Sequence, residues 1–216
     1  MKKIIIVGAG GHAAEVREYI NYYNKLNPEQ TFVILGFLDV NNKLHTKYNY
    51  PEPYLGTAEN HTINFEAEYM FCFGNMIYKE KLVSHYRKAG ASFLTFIHPT
   101  ALIAETCKIG EGVLVSHNAS VGPMVTIGDF NILNSRCTIG HDAVIGNYNF
   151  ISPQVSLSGN TSIGDYNMFG VNSATIPGVN LGDNNTIGAG SIITKNVIDN
   201  AVIVGVPGKK IRTKEA

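Results

Sequence analysis

The chain has no tryptophan and only three cysteines in 216 residues. Three cysteines without a C-x-x-C pair cannot build a disulfide framework. Charge is scarce as well: 16% of residues are charged, and 17 basic side chains balance 17 acidic ones. A neutral chain with no basic block lacks the phosphate-neutralising surface that non-specific nucleic-acid binding needs. Long hydrophobic runs are also missing. The apolar stretch Ile4 to Val7 is too short for a membrane span or the core of a signal peptide. These absences predict a soluble, cytoplasmic protein without membrane insertion. What the chain has in quantity is glycine, 22 residues of it, which means either disorder or many turns.

Periodicity separates the two. Steps of six from Ile97 pass through Ile103, Ile109, Val115, Val121, Ile127, Leu133, Ile139, Ile145, Ile151, Leu157, Ile163, Phe169, Thr175, Leu181, Ile187 and Ile193. Only Thr175 among them is not Ile, Leu, Val or Phe, so the register is a designed repeat. The next residue is usually small, as in Gly110, Gly122, Gly128, Gly140, Gly146 and Gly164, and the residue four on is usually compact, as in Val113, Ala119, Cys137, Ala143 and Val155. A period of six is not a helical face, which returns after three or four residues. It fits short strands joined by turns, three per coil, stacked as a triangular prism of parallel strands. Glycine in the corner slot is expected to supply the backbone freedom of a sharp turn. Cys107 and Cys137 then fall on inward positions and Cys72 lies within a strand, so all three read as core residues.

The first ninety-odd residues differ in kind. Ile4 to Val7 leads into Gly8-Ala9-Gly10-Gly11-His12-Ala13, followed by Val16, Tyr19, Ile20 and Tyr23 at helical spacing. Further strands are expected at Phe32 to Leu38, ending on Asp39, at Tyr69 to Phe73, ending on Gly74-Asn75, and at Ser92 to Ile97. Between the last two, a helix carries Ile77, Leu82, Val83 and Tyr86 as its apolar residues. Alternating strands and helices imply a small parallel α/β sheet, so the fold class is a Rossmann-like domain, residues 1–96, followed by a parallel β-helix, residues 97–216. The glycine turn fits G-x-G-x-x-A and can bring phosphate oxygens to backbone N–H groups at a helix N-terminus. A mononucleotide or nucleotide-sugar, a dinucleotide and a purely structural turn all remain open for it. Asp39 is either a ligand for a ribose or base, or a solvated residue of a strand-end turn.

The six-residue register resembles that of the hexapeptide-repeat acyltransferases, which fold as a left-handed parallel β-helix. That hand is implied by the resemblance alone, against the usual right-handed crossover. Gly8-Ala9-Gly10-Gly11-His12, Gly36-Phe37-Leu38-Asp39, Tyr54-Leu55-Gly56-Thr57, Phe73-Gly74-Asn75 and the tail Val204-Gly205-Val206-Pro207-Gly208-Lys209 narrow this. They resemble the sialic-acid O-acetyltransferase-like branch, which includes nucleotide-sugar N-acetyltransferases of bacterial surface-glycan synthesis.

The resemblance implies a nucleotide-linked amino-sugar held by Gly10, Gly11, His12, Asp39 and Gly74. It implies acetyl-CoA lying between neighbouring subunits of a homotrimer, and no metal. Asn134 and His141-Asp142 match the family's Asn seven residues before a His-acid pair, with His141 as general base. Asp142 holds the imidazole tautomer or is a turn residue. Gly159 matches the oxyanion donor, and Val171 and Ala189 match positions lining the cofactor. Phe150 departs from the family, which often has His there, so a polar cofactor contact is lost or becomes apolar. The resemblance leaves O-acetylation of a sugar hydroxyl as the near alternative. A zinc hydratase on the same helix lacks its close histidine pair, and a non-catalytic nucleotide-sugar binder lacks a use for Asn134 and His141-Asp142.

Overall fold

The computed structural model describes residues 1–214. The chain forms two compact units, one ending at Thr95 and the other beginning at Phe96.

The first unit is a five-stranded parallel sheet with helices. Its elements are β1 (Lys2–Val7), α1 (Gly11–Leu26), β2 (Phe32–Asp39), α2 (Lys43–Tyr48), β3 (Tyr54–Thr57), β4 (Ala67–Phe71), α3 (Met76–Lys88) and β5 (Ser92–Phe93). The strand order is β3-β2-β1-β4-β5. Ile4 to Val7 is buried along its whole length, because the central strand of a parallel sheet is covered on both faces and so reads as an unbroken apolar run. Ala13, Val16 and Ile20 seat α1, at the three- and four-residue spacing of a buried helical stripe. The chain runs outward from β1 to β3, then returns to place β4 on the other side of β1. Strand order therefore reverses between β1 and β4, and the carboxyl ends of those two strands flank a crevice.

Four expectations for this unit change. The strand expected at Tyr69 to Phe73 runs from Ala67 to Phe71, so Cys72 lies just past its end. Ile77 is 67% exposed, and Met76, Lys79, Leu82, Val83 and Tyr86 form the buried stripe of α3. The segment Ser92 to Ile97 is two strands: Ser92–Phe93 pairs with β4, whereas Phe96–Ile97 starts the second unit. Tyr54–Thr57 is a strand that alternation had not revealed, because it is short and edge-placed.

In the second unit the two-residue strands recur every six residues and pair 18 residues apart, as in Val121, Ile139 and Leu157. Three hexads thus make one coil, and the strands sort into a six-stranded, a five-stranded and an eight-stranded sheet. The inward aliphatics from Val115 to Ile193 stack as a continuous core together with Val113, Ala119, Val125, Cys137, Ala143, Val155 and Val179. Each buried aliphatic contributes roughly 1.5–3 kcal/mol. Ile97, which opens the register, is 37% exposed, as expected where no coil lies above it. Strands Ala201–Val204 and Lys209–Thr213 close the eight-stranded sheet as an antiparallel pair.

The corner chemistry also differs from the expectation. The glycines that follow the aliphatics lie outside the left-handed region. They are glycines because of crowding: a Cβ on Gly140 would stand 2.4 Å from the Gly159 nitrogen, and one on Gly128 would stand 2.4 Å from Asn147 Oδ1. The left-handed residue comes two positions later. Asn118, Met124, Phe130, Arg136, Asp142, Tyr148, Gln154, Asn160, Tyr166, Asn172 and Asn184 all have φ between 54° and 61°. Each such residue costs on the order of 1 kcal/mol, offset by side chains that stack from coil to coil. Phe130, Tyr148 and Tyr166 stack at 5.2 and 5.4 Å. A second ladder is buried: the Oδ1 atoms of Asn131, Asn149 and Asn167 accept from the N–H of Asn149, Asn167 and Asn185 at 2.8 Å.

Candidate functional site

In the first unit, a cavity of about 370 Å³ sits at the crevice beyond β1 and β4. Gly8, Ala9, Gly10, Gly11, His12, Asp39, Cys72, Phe73 and Tyr78 contribute to its wall. Gly8 has φ +104, and a Cβ there would meet Cys72 O at 3.1 Å, so glycine is required for the chain to turn from β1 past β4. Gly10 caps α1 without a side-chain bond, and no acid occupies the first turn. The N–H groups of that turn therefore carry the partial positive charge of a helix start.

The Asp39 carboxylate accepts the Ala9 N–H at 2.9 Å and its neighbour Val40 N–H at 2.7 Å. It braces the glycine turn and retains lone pairs for a ligand. Tyr50 holds the same turn from behind, its hydroxyl donating to Ala9 O at 3.2 Å and Gly10 O at 3.1 Å. Burial pushes that hydroxyl up to about 12, which keeps it a donor. Gly10, Gly11, His12 and Asp39 thus line one cavity, whereas Gly74 is exposed and lies just past the lining residue Phe73. Sequence reasoning missed Tyr50, Tyr78 and Leu44. Tyr50 and Tyr78 acquire their roles only through folding, and Leu44 belongs to a short helix without a clear apolar period.

In the second unit, the prism has three edges. The first follows the six-stranded sheet, the second the eight-stranded sheet and the third the five-stranded sheet. His141 and Asp142 lie on the first edge, just after strand Thr138–Ile139. His141 Nδ1 stands 2.7 Å from Asp142 Oδ2, and the two side chains are 60% and 53% exposed. Asp142 fills the left-handed corner slot with φ 59°, so it is a turn residue and a partner of the imidazole at once. Gly159 lies one coil further along the same edge. A Cβ there would fall 2.7 Å from His141 Nε2, so glycine leaves the space the imidazole occupies. The Gly159 N–H makes no hydrogen bond among the described residues, so it remains available to an incoming oxygen.

Asn134 is on the second edge, after strand Ile132–Leu133, and is 8% exposed. Its Oδ1 accepts the Ser135 N–H at 2.9 Å. Phe150 stands on the outward face of the same eight-stranded sheet, paired with Met168. Val171 and Ala189 occupy that edge one coil apart. A Cβ on Gly170 would meet the Ala189 nitrogen at 2.5 Å, so this corner too is packed backbone to backbone. Within one chain, the predicted residues therefore form two columns. His141, Asp142 and Gly159 share the first edge, and Asn134, Phe150, Val171 and Ala189 share the second.

Burial pushes the Cys72 and Cys137 thiols up to about 12, which makes both poor nucleophiles. Among the described residues, no group of three or more His, Cys, Asp or Glu side chains is placed to hold a metal ion. No helix of the described residues is long and apolar enough to cross a membrane.

Residues 3–86 match the PglD N-terminal domain, and residues 160–195 match the hexapeptide repeat of succinyl-transferase. Among curated proteins, the chain is similar to the UDP-N-acetylbacillosamine N-acetyltransferase of Bacillus subtilis. The two are 28% identical over 117 residues, which is 53% of this chain and 51% of that protein. The match thus spans about half the length of the curated relative. Among solved structures, the acetyltransferase domain of PglB from Neisseria gonorrhoeae superposes with a TM-score of 0.84 at 26% identity, covering 98% of this chain and 100% of that one. The same domain has been solved in complex with acetyl coenzyme A. PerB from Caulobacter crescentus, solved with CoA and GDP-perosamine, has a TM-score of 0.85 at 24% identity, covering 98% of both chains, and shows the shared fold. The hexapeptide repeat and these superpositions accord with the left-handed winding expected of the β-helix. The chain thus carries a PglD-type N-terminal domain before a hexapeptide-repeat prism, and over nearly its whole length it is similar to a solved acetyltransferase domain.

Proposed function

We propose that this chain transfers the acetyl group of acetyl-CoA to the amino group of a nucleotide-linked amino-sugar, as a step in bacterial surface-glycan synthesis. The observation that carries this reading is the His141–Asp142 pair at 2.7 Å, its imidazole lodged over Gly159 on an accessible edge. Asp142 keeps a proton on Nδ1 and leaves Nε2 as the base. The sugar nitrogen adds to the thioester carbonyl carbon, His141 takes the proton that the nitrogen sheds, and the C–S bond breaks. The CoA sulfur leaves and receives a proton from the imidazolium. The Gly159 N–H is the donor for the oxygen that gains charge. The sugar nitrogen attacks the thioester directly with His141 as base and no covalent acyl-enzyme forms, in keeping with the burial of Cys72 and Cys137.

The cavity beside Asp39 suits the nucleotide, with the diphosphate at the first turn of α1, held by Gly10, Gly11 and His12. Residues 1–96 then bind the nucleotide-sugar and residues 97–216 perform the transfer. The division of the site between two prism edges supports a homotrimer. The first edge of one subunit, carrying His141, faces the second edge of its neighbour, carrying Asn134, Phe150, Val171 and Ala189. Acetyl-CoA lies in that groove, and Phe150 gives it an apolar wall. The three free cysteines fit a reducing cytoplasm.

The test is release of CoA from acetyl-CoA with UDP-, dTDP- and GDP-linked amino-sugars. His141→Asn should reduce turnover by about 100-fold or more; near-normal turnover in this variant refutes the base. An alkali-stable product identifies the amide, and an alkali-labile one identifies an O-acetyl ester. Tight binding of a sugar nucleotide with no thioester cleavage would instead mark a binding protein.

A further inference from the structure

The short helix α2 lays one face across the glycine turn. Leu44 and Tyr48, four residues apart, share that face. A Cβ on Gly10 would stand 3.5 Å from Leu44 Cδ1, and one on Gly11 would stand 3.0 Å from the Tyr48 hydroxyl. Leu44 lines the cavity, and Tyr48, 38% exposed, stands one helical turn on, at its rim. A stack of rings fixes the hydroxyl there. Tyr48 packs on Tyr50 with centroids 5.8 Å apart, and Tyr50 packs on Phe37 at 4.0 Å. Phe37 is fully buried in β2, so the stack runs from the sheet core out to the rim. Asn49 ends α2 with a left-handed φ of 49°, which turns the chain between the two tyrosines. His45 pins the helix from another side, its Nε2 2.8 Å from Glu52 O.

The two tyrosines use their hydroxyls differently. Tyr50 commits its proton to Ala9 O and Gly10 O, whereas the Tyr48 hydroxyl makes no hydrogen bond among the described residues. It stands instead beside Gly11, the first residue of α1, where the N–H groups of a helix start face outward. No lysine or arginine lines the cavity among the described residues, and Asp39 adds a carboxylate to it. A diphosphate seated there depends on neutral donors, and a hydrogen bond to an ionised oxygen is among the stronger kinds. Because the ring stack places the hydroxyl in advance, little freedom is lost when it binds. Lys47 holds its ammonium 5.5 Å from the centre of the Tyr48 ring, which sets a positive charge at the same rim.

On the reading that the first unit holds a nucleotide-linked amino-sugar with its diphosphate at the start of α1, we propose that Tyr48 is a substrate-positioning residue whose hydroxyl donates a hydrogen bond to a diphosphate oxygen. It acts beside the N–H groups of Gly11 and His12 and takes no part in the acetyl transfer. Its effect falls on ligands that carry the diphosphate and leaves acetyl-CoA alone.

Calorimetric titration of the full chain with UDP, dTDP and GDP tests this, with each parent nucleoside as a comparison. Tyr48→Phe keeps the ring and its stack on Tyr50 and removes only the hydroxyl. It should weaken whichever diphosphate the wild type binds by about tenfold, the effect of one hydrogen bond to a charged group. The parent nucleoside should lose nothing, and the melting temperature of the free protein should not move. In turnover, KM for the sugar nucleotide should rise by the same factor, with kcat and KM for acetyl-CoA unchanged. Tyr48→Ala removes ring and hydroxyl together and should bind the diphosphate no better than Tyr48→Phe. Unchanged affinity in Tyr48→Phe overturns the proposal. A loss confined to Tyr48→Ala also overturns it, because the ring alone would then matter. An equal loss for diphosphate and nucleoside does the same, because it puts the hydroxyl on the ribose or base. Failure of the wild type to bind any of the three diphosphates would strike the nucleotide-site reading itself, a distinct outcome.

Discussion

The imidazole of His141 occupies the volume that a side chain would need at Gly159: a Cβ there would stand 2.7 Å from Nε2 and 2.9 Å from Cε1. The atoms that must yield belong to the end of an exposed side chain, so the fold can absorb a methyl group at little cost. The proposed base cannot, since small displacements of a catalytic group are expensive in rate. Gly159→Ala should therefore lower kcat by about 10- to 100-fold and leave the thermal midpoint nearly unchanged. Parallel kinetics and melting curves check this, and undiminished kcat would separate Gly159 from the reaction. Gly140→Ala makes the contrast, because its Cβ would strike the Gly159 backbone nitrogen at 2.4 Å; it should destabilise the prism itself.

Asp142 serves two masters, and substitution can divide them. At φ 59° it occupies a conformation that Asn tolerates about as well as Asp. Asp142→Asn should keep the corner and weaken the orientation of His141, lowering kcat by about tenfold or more with little change in melting. Asp142→Gly removes the steric cost of the left-handed corner and the carboxylate together, so it should melt no lower than Asp142→Asn yet be at least as impaired in turnover. Full activity in both variants would make Asp142 a turn residue and nothing else.

The contrast between these two glycines also shows what sequence could and could not convey. Inward positions such as Ile139 and Leu157 were legible because burial allows only a few residue types and a six-residue period repeats them. The glycine slot was visible, but its cause was not. Gly140 and Gly128 are small because another coil passes within 3 Å, a fact that exists only after stacking. The left-handed slot was silent because Met124, Phe130, Arg136 and Gln154 share no chemistry; the ladder above and below enforces their conformation. In the first unit, the glycine turn and Asp39 were readable as a strand-end site. Tyr50, brought 40 residues along the chain to brace Gly10, had no local signal. The two-edge division of the candidate reaction site followed from register alone once 18 residues were seen to make a coil.

The buried asparagine ladder yields a stability prediction independent of activity. Asn149 accepts the Asn167 N–H at 2.8 Å and donates to Gly164 O at 2.9 Å, while its own N–H is held by Asn131 Oδ1. Asn149→Ala leaves the Asn167 N–H and Gly164 O without these partners in a dry corner, and opens a cavity beside them. The cost should be about 2–4 kcal/mol, measured by denaturant unfolding. Asn149→Leu refills the space without the hydrogen bonds and should remain destabilised. A cost below about 1 kcal/mol for both would mean that water enters the corner and replaces the amide.

Lys79 offers a prediction with a defined sign in pH. It is 1% exposed on the inner face of α3, its ammonium 6.0 Å from the centre of the Phe73 ring. Burial pushes it down to about 7, from an ordinary value of 10.5. Below pH 7 the lysine is charged in both folded and unfolded chains, and the folded state bears the full desolvation cost. Between pH 7 and 10.5 the folded amine is neutral while the unfolded one still holds its proton, so this contribution becomes steadily less unfavourable as pH rises. The Cys72 thiol works in the opposite direction: it stays protonated in the fold up to about 12, so its neutral form costs stability once the unfolded thiol ionises above about 9. The comparison between the wild type and Lys79→Met is therefore read below about pH 9, where Cys72 is protonated in the folded and unfolded chains alike. Lys79→Met should be more stable than the wild type at pH 6, by on the order of 3 kcal/mol, and the difference should shrink as pH is raised from 7 toward 9. Chemical denaturation of both proteins across that range measures it. A variant less stable than the wild type at pH 6 would show that the ammonium is compensated in the fold, and that its burial is not the liability its surroundings indicate.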